Sequence, residues 1–174
     1  MRTQYDEGDI KRVIERLVAQ VAEAFSPDQP LSIVGIRTRG EVLARRVTEQ
    51  LHARGFALIR RGVLDITMYR DDLSEVGPKP MVRPTHIDFA IDAVPMLLVD
   101  DVIFTGRSIR SALDALTDLG RPSVIRLAVL VDRGGRQLPI QADFIGLQLT
   151  DIPPGHRVNV RLVETDGRDE IVVE

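Results

Sequence analysis

The chain contains no cysteine. A disulfide framework and a thiolate zinc site are therefore excluded. Histidine is scarce: His52, His86 and His156 lie far apart, so no motif joins them as metal ligands. Long hydrophobic runs are missing too. The longest, AVPMLLV, is too short to span a bilayer. The first residues, MRTQYDEGD, are polar and acidic, unlike an ordinary signal peptide. A cytoplasmic protein with no membrane partner is the expectation. There is no excess of positive charge. The net charge of -3 and pI near 5.7 argue against dominant non-specific nucleic-acid binding, while leaving room for a local basic patch. Neither a Walker A loop nor a GxGxxG fingerprint is present.

What is present is a globular composition, 44% apolar and 28% charged over 174 residues. That length suits a single domain, 1–174, with a real core. Ile10, Val13, Ile14, Leu17, Val18 and Val21 recur at helical spacing and predict a helix over 9–25, stopped by Ser26, Pro27 and Pro30. LSIVGI (31–36) reads as a buried strand, followed by RTRG and a helix over 41–53. GVLDITMY (62–69) reads as a strand. Residues 70–86, with Pro78, Pro80 and Pro84, read as a long loop of the lid or binding kind. VPMLLV (94–99) is the most apolar strand. It leads through DDVIFTGRS into a helix striped by Ile109, Ala112, Leu113, Leu116 and Leu119 and stopped at Gly120. SVIRLAVLV (123–131) is the next strand, with shorter ones near 143–149, 158–163 and 171–173.

Strands alternating with helices predict an α/β fold with a central, mainly parallel sheet flanked by helices. Ligands of such sheets sit beyond the C-terminal strand ends. RTRG, DDVIFTGRS and DRGGR all fall there, and one pocket built from three loops is the economical reading.

TGRS offers the chemistry of an anion cradle. Gly106 permits close backbone approach, the N–H groups of the helix start are unpaired, Thr105 and Ser108 add hydroxyls, and Arg107 adds charge. Plain helix capping would use the same residue types. Asp100 and Asp101, side by side after a buried run, would repel a phosphate unless hydroxyls or a cation lay between. A ribose diol and Mg²⁺ are the natural partners, and with the cradle they describe a ribose 5-phosphate. Solvated loop aspartates are the bland alternative. A phospho-acceptor receiver domain is another, although its acidic pair belongs on the first strand. Thr38, Arg39 and Gly40 open a helix and form a second anion site, where a bidentate arginine suits a diphosphate.

With these residues in view, MLLVDDVIFTGRS resembles the phosphoribosyl diphosphate (PRPP) signature of type I phosphoribosyltransferases. Nearly the whole chain is similar to the bifunctional pyrimidine operon regulator and uracil phosphoribosyltransferase family. IVGIRTRGEVLARRV, GVLDITMYRDDLSEVG, ALDALTDLGRPSVIRLAVLVDRG and LPIQADFIG carry the likeness, and LDITMYRDDL with VDRG is its most specific part. The resemblance implies that Asp100, Asp101 and Arg39 are the catalytic residues and that the two aspartates hold Mg²⁺. PRPP would lie along Thr38, Arg39 and Gly40 and along Asp100, Asp101, Val102, Ile103, Phe104, Thr105, Gly106, Arg107 and Ser108. Arg70 and Asp71 would start a lid over 70–86. Val131, Asp132, Arg133 and Gly134 would form part of the base pocket, and a small hood would be built from about 133–160. The implied reaction is uracil plus PRPP giving UMP plus diphosphate, in a homodimer or larger assembly.

The family also binds leader RNA of the pyrimidine operon under UMP control, which needs a basic face. Arg16 and Arg136 remain available for it. Ala19, Ala24, Gly135, Gln141 and Leu147 replace residues that are commonly His, Arg or Lys in the family. Over residues 9–25 the charges of Lys11, Arg12 and Arg16 cancel those of Asp9, Glu15 and Glu23. An enzyme of uracil salvage and a UMP-sensing RNA attenuator with secondary catalysis therefore both stand, as does a transferase for another base.

Overall fold

In the computed structural model, which describes residues 2–72 and 82–174, five parallel strands form the main sheet. They are β2 (Leu31–Ile36), β3 (Ile59–Leu64), β4 (Pro95–Ile103), β5 (Val124–Asp132) and β6 (Phe144–Gln148), in the order β3-β2-β4-β5-β6. A second, antiparallel sheet joins β1 (Arg2–Tyr5), β8 (Glu170–Val173) and β7 (Val158–Arg161) in the order β1-β8-β7. The helices are α1 (Glu7–Ala24), α2 (Arg39–Ala53), α3 (Arg107–Thr117) and the single turn α4 (Val163–Asp166).

Both faces of the main sheet are covered, which is why its inner strands β2, β4 and β5 read as apolar runs. Ile33, Leu97, Val99, Ala128 and Leu130 pack with α1 and α2 on one side. Val34, Ile36, Met96, Leu98 and Val129 pack with α3 on the other. The period-2 alternation of each strand sorts its residues between these two cores. α1 starts at a capping box: the Asp6 carboxylate accepts the Asp9 N–H, and Asp9 accepts the Asp6 N–H, each at 3.0 Å. The six apolar residues predicted for its inner face are all buried. Val158, Val160, Leu162 and Ile171 add the second sheet to the same core.

Several sequence expectations shift. The strand read at GVLDITMY ends at Leu64, because Asp65 accepts the Thr67 N–H at 2.8 Å and its hydroxyl at 2.5 Å and turns the chain into a 3₁₀ turn over Thr67–Tyr69. α2 begins at Arg39, two residues before the expected start. β1 escaped notice because RTQY is short and polar, and its strand character comes from pairing with β8. Of the residues expected to form a hood, 133–160, Phe144–Gln148 instead pair with β5 as the edge of the main sheet, since FIGLQ places Phe144 and Gly146 on the buried face. The second sheet draws on both chain ends. Of the expected lid, residues 73–81 lie outside the described residues.

Leu17 is fully buried between α1 and the sheet. Replacing it with alanine should cost about 2–5 kcal/mol, read as a lowered urea midpoint with an unchanged slope.

Candidate active site

β2 is followed in sequence by β3 on one side of it, and β4 lies on the other. The chain order thus reverses between β2 and β4, the switch point at which open parallel sheets bind ligands. A cleft of about 380 Å³ opens there, lined by Arg37 and Thr38 after β2, by Asp65, Ile66 and Thr67 after β3, by Asp100, Asp101 and Val102 on β4, and by Ser108 on α3. Arg70 and Arg83 line its outer edge. A smaller hollow of about 210 Å³, lined by Thr105, Arg107, Ser108, Ser111 and Arg70 to Asp72, adjoins it through Arg70 and Ser108.

Two glycines hold the first loop against the central strand. A Cβ on Gly35 would lie 2.4 Å from the Gly40 carbonyl oxygen, and one on Gly40 would lie 2.5 Å from that of Val99. No side chain fits either gap, so α2 starts in direct backbone contact with β2 and β4. The Arg37–Thr38 peptide within this loop is cis.

Asp100 is buried, and Asp101 is partly so. The Asp101 N–H donates to Asp100 Oδ1 at 2.9 Å. Burial, and then the neighbouring Asp101 charge, push the Asp100 carboxyl well above the usual carboxylate range. Burial raises Asp101 also, against the Asp100 hydrogen bond, the Val102 N–H and the positive charge of Arg39. Two desolvated carboxylates at a cleft floor create a strong demand for a cation or for hydroxyl donors.

The start of a helix flanks the pair on each side. On one side, Gly106 adopts φ 91° at the start of α3, a left-handed turn that suits glycine, and aims the first N–H groups of the helix outward. Thr105 Oγ1 accepts the Arg107 N–H at 3.3 Å. The Arg107 guanidinium donates to Asp71 at 2.6 Å and to Gln137 at 3.0 Å. On the other side, Thr38, Arg39 and Gly40 open α2. Arg39 donates from Nε and Nη2 to the two carboxylate oxygens of Asp166, at 3.1 and 2.8 Å.

The phosphoribosyl transferase domain model matches residues 2–161. A bifunctional protein PyrR of Desulfosudis oleivorans is 47% identical over 169 residues, covering 97% of this chain and 93% of the relative. That of Deinococcus radiodurans is 48% identical over 168 residues, covering 96% and 91%. The chain belongs to the bifunctional PyrR family of phosphoribosyl transferases. Its fold is shared with a hypoxanthine-guanine phosphoribosyltransferase of Bacillus anthracis, at a TM-score of 0.72, 15% identity and coverage of 100% and 98%. A hypoxanthine phosphoribosyl transferase of Trypanosoma cruzi superposes at 0.73 with 18% identity, covering 99% and 90%.

Within this phosphoribosyl transferase, the structure brings the RTRG and DDVIFTGRS segments together as expected from sequence. The VDRG segment lies one strand further along the sheet, beside this cleft. Val131 and Asp132 end β5 beside β4, with Asp132 opposite Ile103, and Arg133 and Gly134 follow the strand, adjacent to the main cleft and outside its lining. Arg133 stacks its guanidinium 3.9 Å over the Phe104 ring and donates to the His156 carbonyl at 2.9 Å. Arg136, expected on an RNA face, turns inward instead. It binds both oxygens of buried Asp132, at 3.0 and 2.7 Å, and the carbonyls of Phe104 and Ile140, because the glycine-rich turn leaves those acceptors facing it. Arg16 stays exposed on α1 and reaches the Gly146 carbonyl at 3.4 Å. The third loop of the cleft is therefore Asp65–Thr67. Asp65 was legible only as the polar end of an apolar run. Its carboxylate also accepts the Arg83 N–H, and its own N–H donates to Thr85 Oγ1 at 3.0 Å, so the far end of the long loop returns to it.

Among the described residues, no helix is long and apolar enough to cross a membrane.

Gly40→Ala should cost about 1–3 kcal/mol, since the added methyl meets backbone that must shift. The thermal midpoint should fall, and in calorimetric titration PRPP binding should weaken with it.

Proposed function

We propose that this chain catalyses uracil plus PRPP to UMP plus diphosphate, with the whole of 1–174 working as one domain under a lid rooted at Arg70 and Asp71. The observation that carries the reading is the Asp100–Asp101 pair at the cleft floor, flanked by the start of α2 at Thr38–Gly40 and by the start of α3 at Thr105–Ser108. PRPP has this arrangement of charge: a diol between a diphosphate and a 5-phosphate.

The residues also fit Mg²⁺. Among the described residues no group of three or more His, Cys, Asp or Glu side chains is arranged to hold a metal alone. Mg²⁺ does not require one, because it is commonly held by one or two carboxylates and completed by substrate oxygens and water. Asp100 and Asp101 supply those carboxylates and a desolvated negative site. When bound, the ion offsets charge on the diphosphate.

The protein's own residues account for the rest. Asp100 and Asp101 accept hydrogen bonds from the ribose hydroxyls and hold the ring between the anion sites. As the C1–O bond to diphosphate breaks, positive charge grows on the ribose ring beside the two carboxylates. The leaving diphosphate takes the electron pair and is met by Arg39 and the α2 N-terminus. Uracil N1 forms the new bond to C1 and gives up its proton to the departing diphosphate. The base sits against Val131 to Gly134, past Phe104. The 5-phosphate takes the α3 N–H groups and displaces Asp71 from Arg107, which ties lid position to substrate binding. Closure keeps water from C1.

A second reading is favoured by the name of the relatives, which are called bifunctional. It is a UMP-controlled attenuator that binds pyrimidine-operon leader RNA. Arg16 supplies exposed charge for it, but Arg136 is spent within the fold and α1 carries balanced charge. The enzymatic reading is therefore primary. The reading goes with a cytoplasmic protein, where PRPP and nucleobases meet, working as a homodimer or larger assembly.

The test is a phosphoribosyl transfer assay against a panel of nucleobases, with leader-RNA titration on the same preparation. Uracil should be the preferred base. Asp101→Asn and Arg39→Ala should each lower kcat/KM by roughly two orders of magnitude or more, while Arg16→Ala leaves transfer at the wild-type rate. RNA should bind weakly with or without UMP. Wild-type turnover in either cleft variant contradicts the site assignment. Tight, UMP-strengthened RNA binding makes the attenuator reading primary.

A further inference from the structure

The acidic turn ETDGRD, residues 164–169, lies beyond the stretch that matches the family domain model, which ends at 161. It nevertheless holds three arginines of α2. Glu164 binds Arg45 at 3.1 Å and Arg46 at 2.9 and 2.5 Å. Asp169 binds Arg46 at 2.7 and 2.9 Å. Asp166 binds Arg39 through two parallel hydrogen bonds. The first two carboxylates brace the middle of the helix. The third reaches the arginine at its N-terminus, in the cleft's own loop.

We propose that Asp166 is a positioning residue for phosphoribosyl transfer, fixing the Arg39 guanidinium beside Asp101 in the pose that receives the diphosphate. This rests on the reading of Arg39 as a diphosphate ligand. Three observations carry it. Asp166 is fastened independently of Arg39, because its Oδ2 accepts the Leu162 N–H at 2.9 Å and the Thr165 hydroxyl at 2.7 Å. The carboxylate thus sets the position, and the long arginine side chain conforms to it. The contact is side-on, through Nε and Nη2, which fixes the plane of the guanidinium as well as its place. Nη1 hydrogen-bonds no other described residue, so the outer edge of the fork remains for a ligand. The pair also persists across the working pH range. Burial opposes ionisation of Asp166, but Arg39, the Leu162 N–H and Thr165 together hold it down at about 2. A free Arg39 would sample many rotamers and lose entropy on binding each substrate. Held by Asp166, it meets the diphosphate already ordered.

The opposite role would be competition, with Asp166 occupying Arg39 until diphosphate displaces it. The two roles differ in sign, so one experiment separates them. Wild type, Asp166→Asn, Asp166→Glu, Glu164→Gln and Arg39→Ala are compared by steady-state kinetics in both substrates, by inhibition with inorganic diphosphate, by UMP binding and by thermal melting. Asp166→Asn keeps an acceptor for Leu162 but removes the charge that orders Arg39. It should raise the KM for PRPP about tenfold or more and weaken diphosphate inhibition in step, leaving the KM for uracil and UMP affinity unchanged. Asp166→Glu should recover part of the loss. Glu164→Gln should lower the melting temperature while leaving the KM for PRPP unchanged, since its partners are Arg45 and Arg46. Unchanged or tighter diphosphate binding in Asp166→Asn overturns the proposal. So does a loss of UMP affinity parallel to that of diphosphate, which would be a merely structural effect. Wild-type diphosphate binding in Arg39→Ala removes the reading of Arg39 itself, a separate failure seen in a separate variant.

Discussion

The desolvation of two adjacent carboxylates is the constraint on which the rest of this structure depends. Asp100 and Asp101 continue β4, buried from Met96 to Asp100, past the point where an apolar chain would stop. Within the protein, the Asp100–Asp101 contact and the charge of Arg39 offset only part of that cost. A buried charge without adequate partners is among the most expensive features a fold can carry. The surroundings make it tolerable by leaving an open cleft directly above the pair and by placing helix starts and arginines around its rim. A ligand that brings hydroxyls and a cation relieves the cost. The same feature that weakens the empty protein thus strengthens its complex.

Backbone packing supports this arrangement. Gly35 and Gly40 allow α2 to start in contact with the strand that carries the aspartates, a separation that a single methyl would widen. The ion pairs of the C-terminal turn act on the same helix from the solvent side. α2 is therefore held at one end by close backbone approach and along its length by charge. Arg39 and Arg107 each rest on a carboxylate of the chain itself, Asp166 and Asp71. Asp166 is anchored by its own turn. Asp71 belongs to the loop expected to move, and its contact with Arg107 is correspondingly exposed. The contrast distinguishes a fixed brace from an exchangeable one.

Much of this was legible in the sequence, for reasons that can be named. The central strands β2, β4 and most of β5 are buried on both faces and so announce themselves as apolar runs. α1 and α3 carry clean apolar stripes. DDVIFTGRS combines residue types that few structural roles require together. What escaped was written in long-range pairing. RTQY is a strand only because β8 lies beside it. Asp65 ends β3 through its hydrogen bonds to Thr67, which periodicity does not register. Arg136 resembles a surface base in sequence, but Asp132 and two carbonyls draw it inward. Asp166 lies 127 positions from Arg39, and no local pattern links the two.

The most direct measurement is a crystal structure of the protein with PRPP and Mg²⁺. The account predicts the ribose hydroxyls within hydrogen-bond distance of Asp100 and Asp101, the 5-phosphate on the N–H groups of Thr105 to Ser108, and the diphosphate against Thr38 to Gly40. PRPP bound elsewhere, or in this cleft with its ribose turned away from the two aspartates, would contradict it.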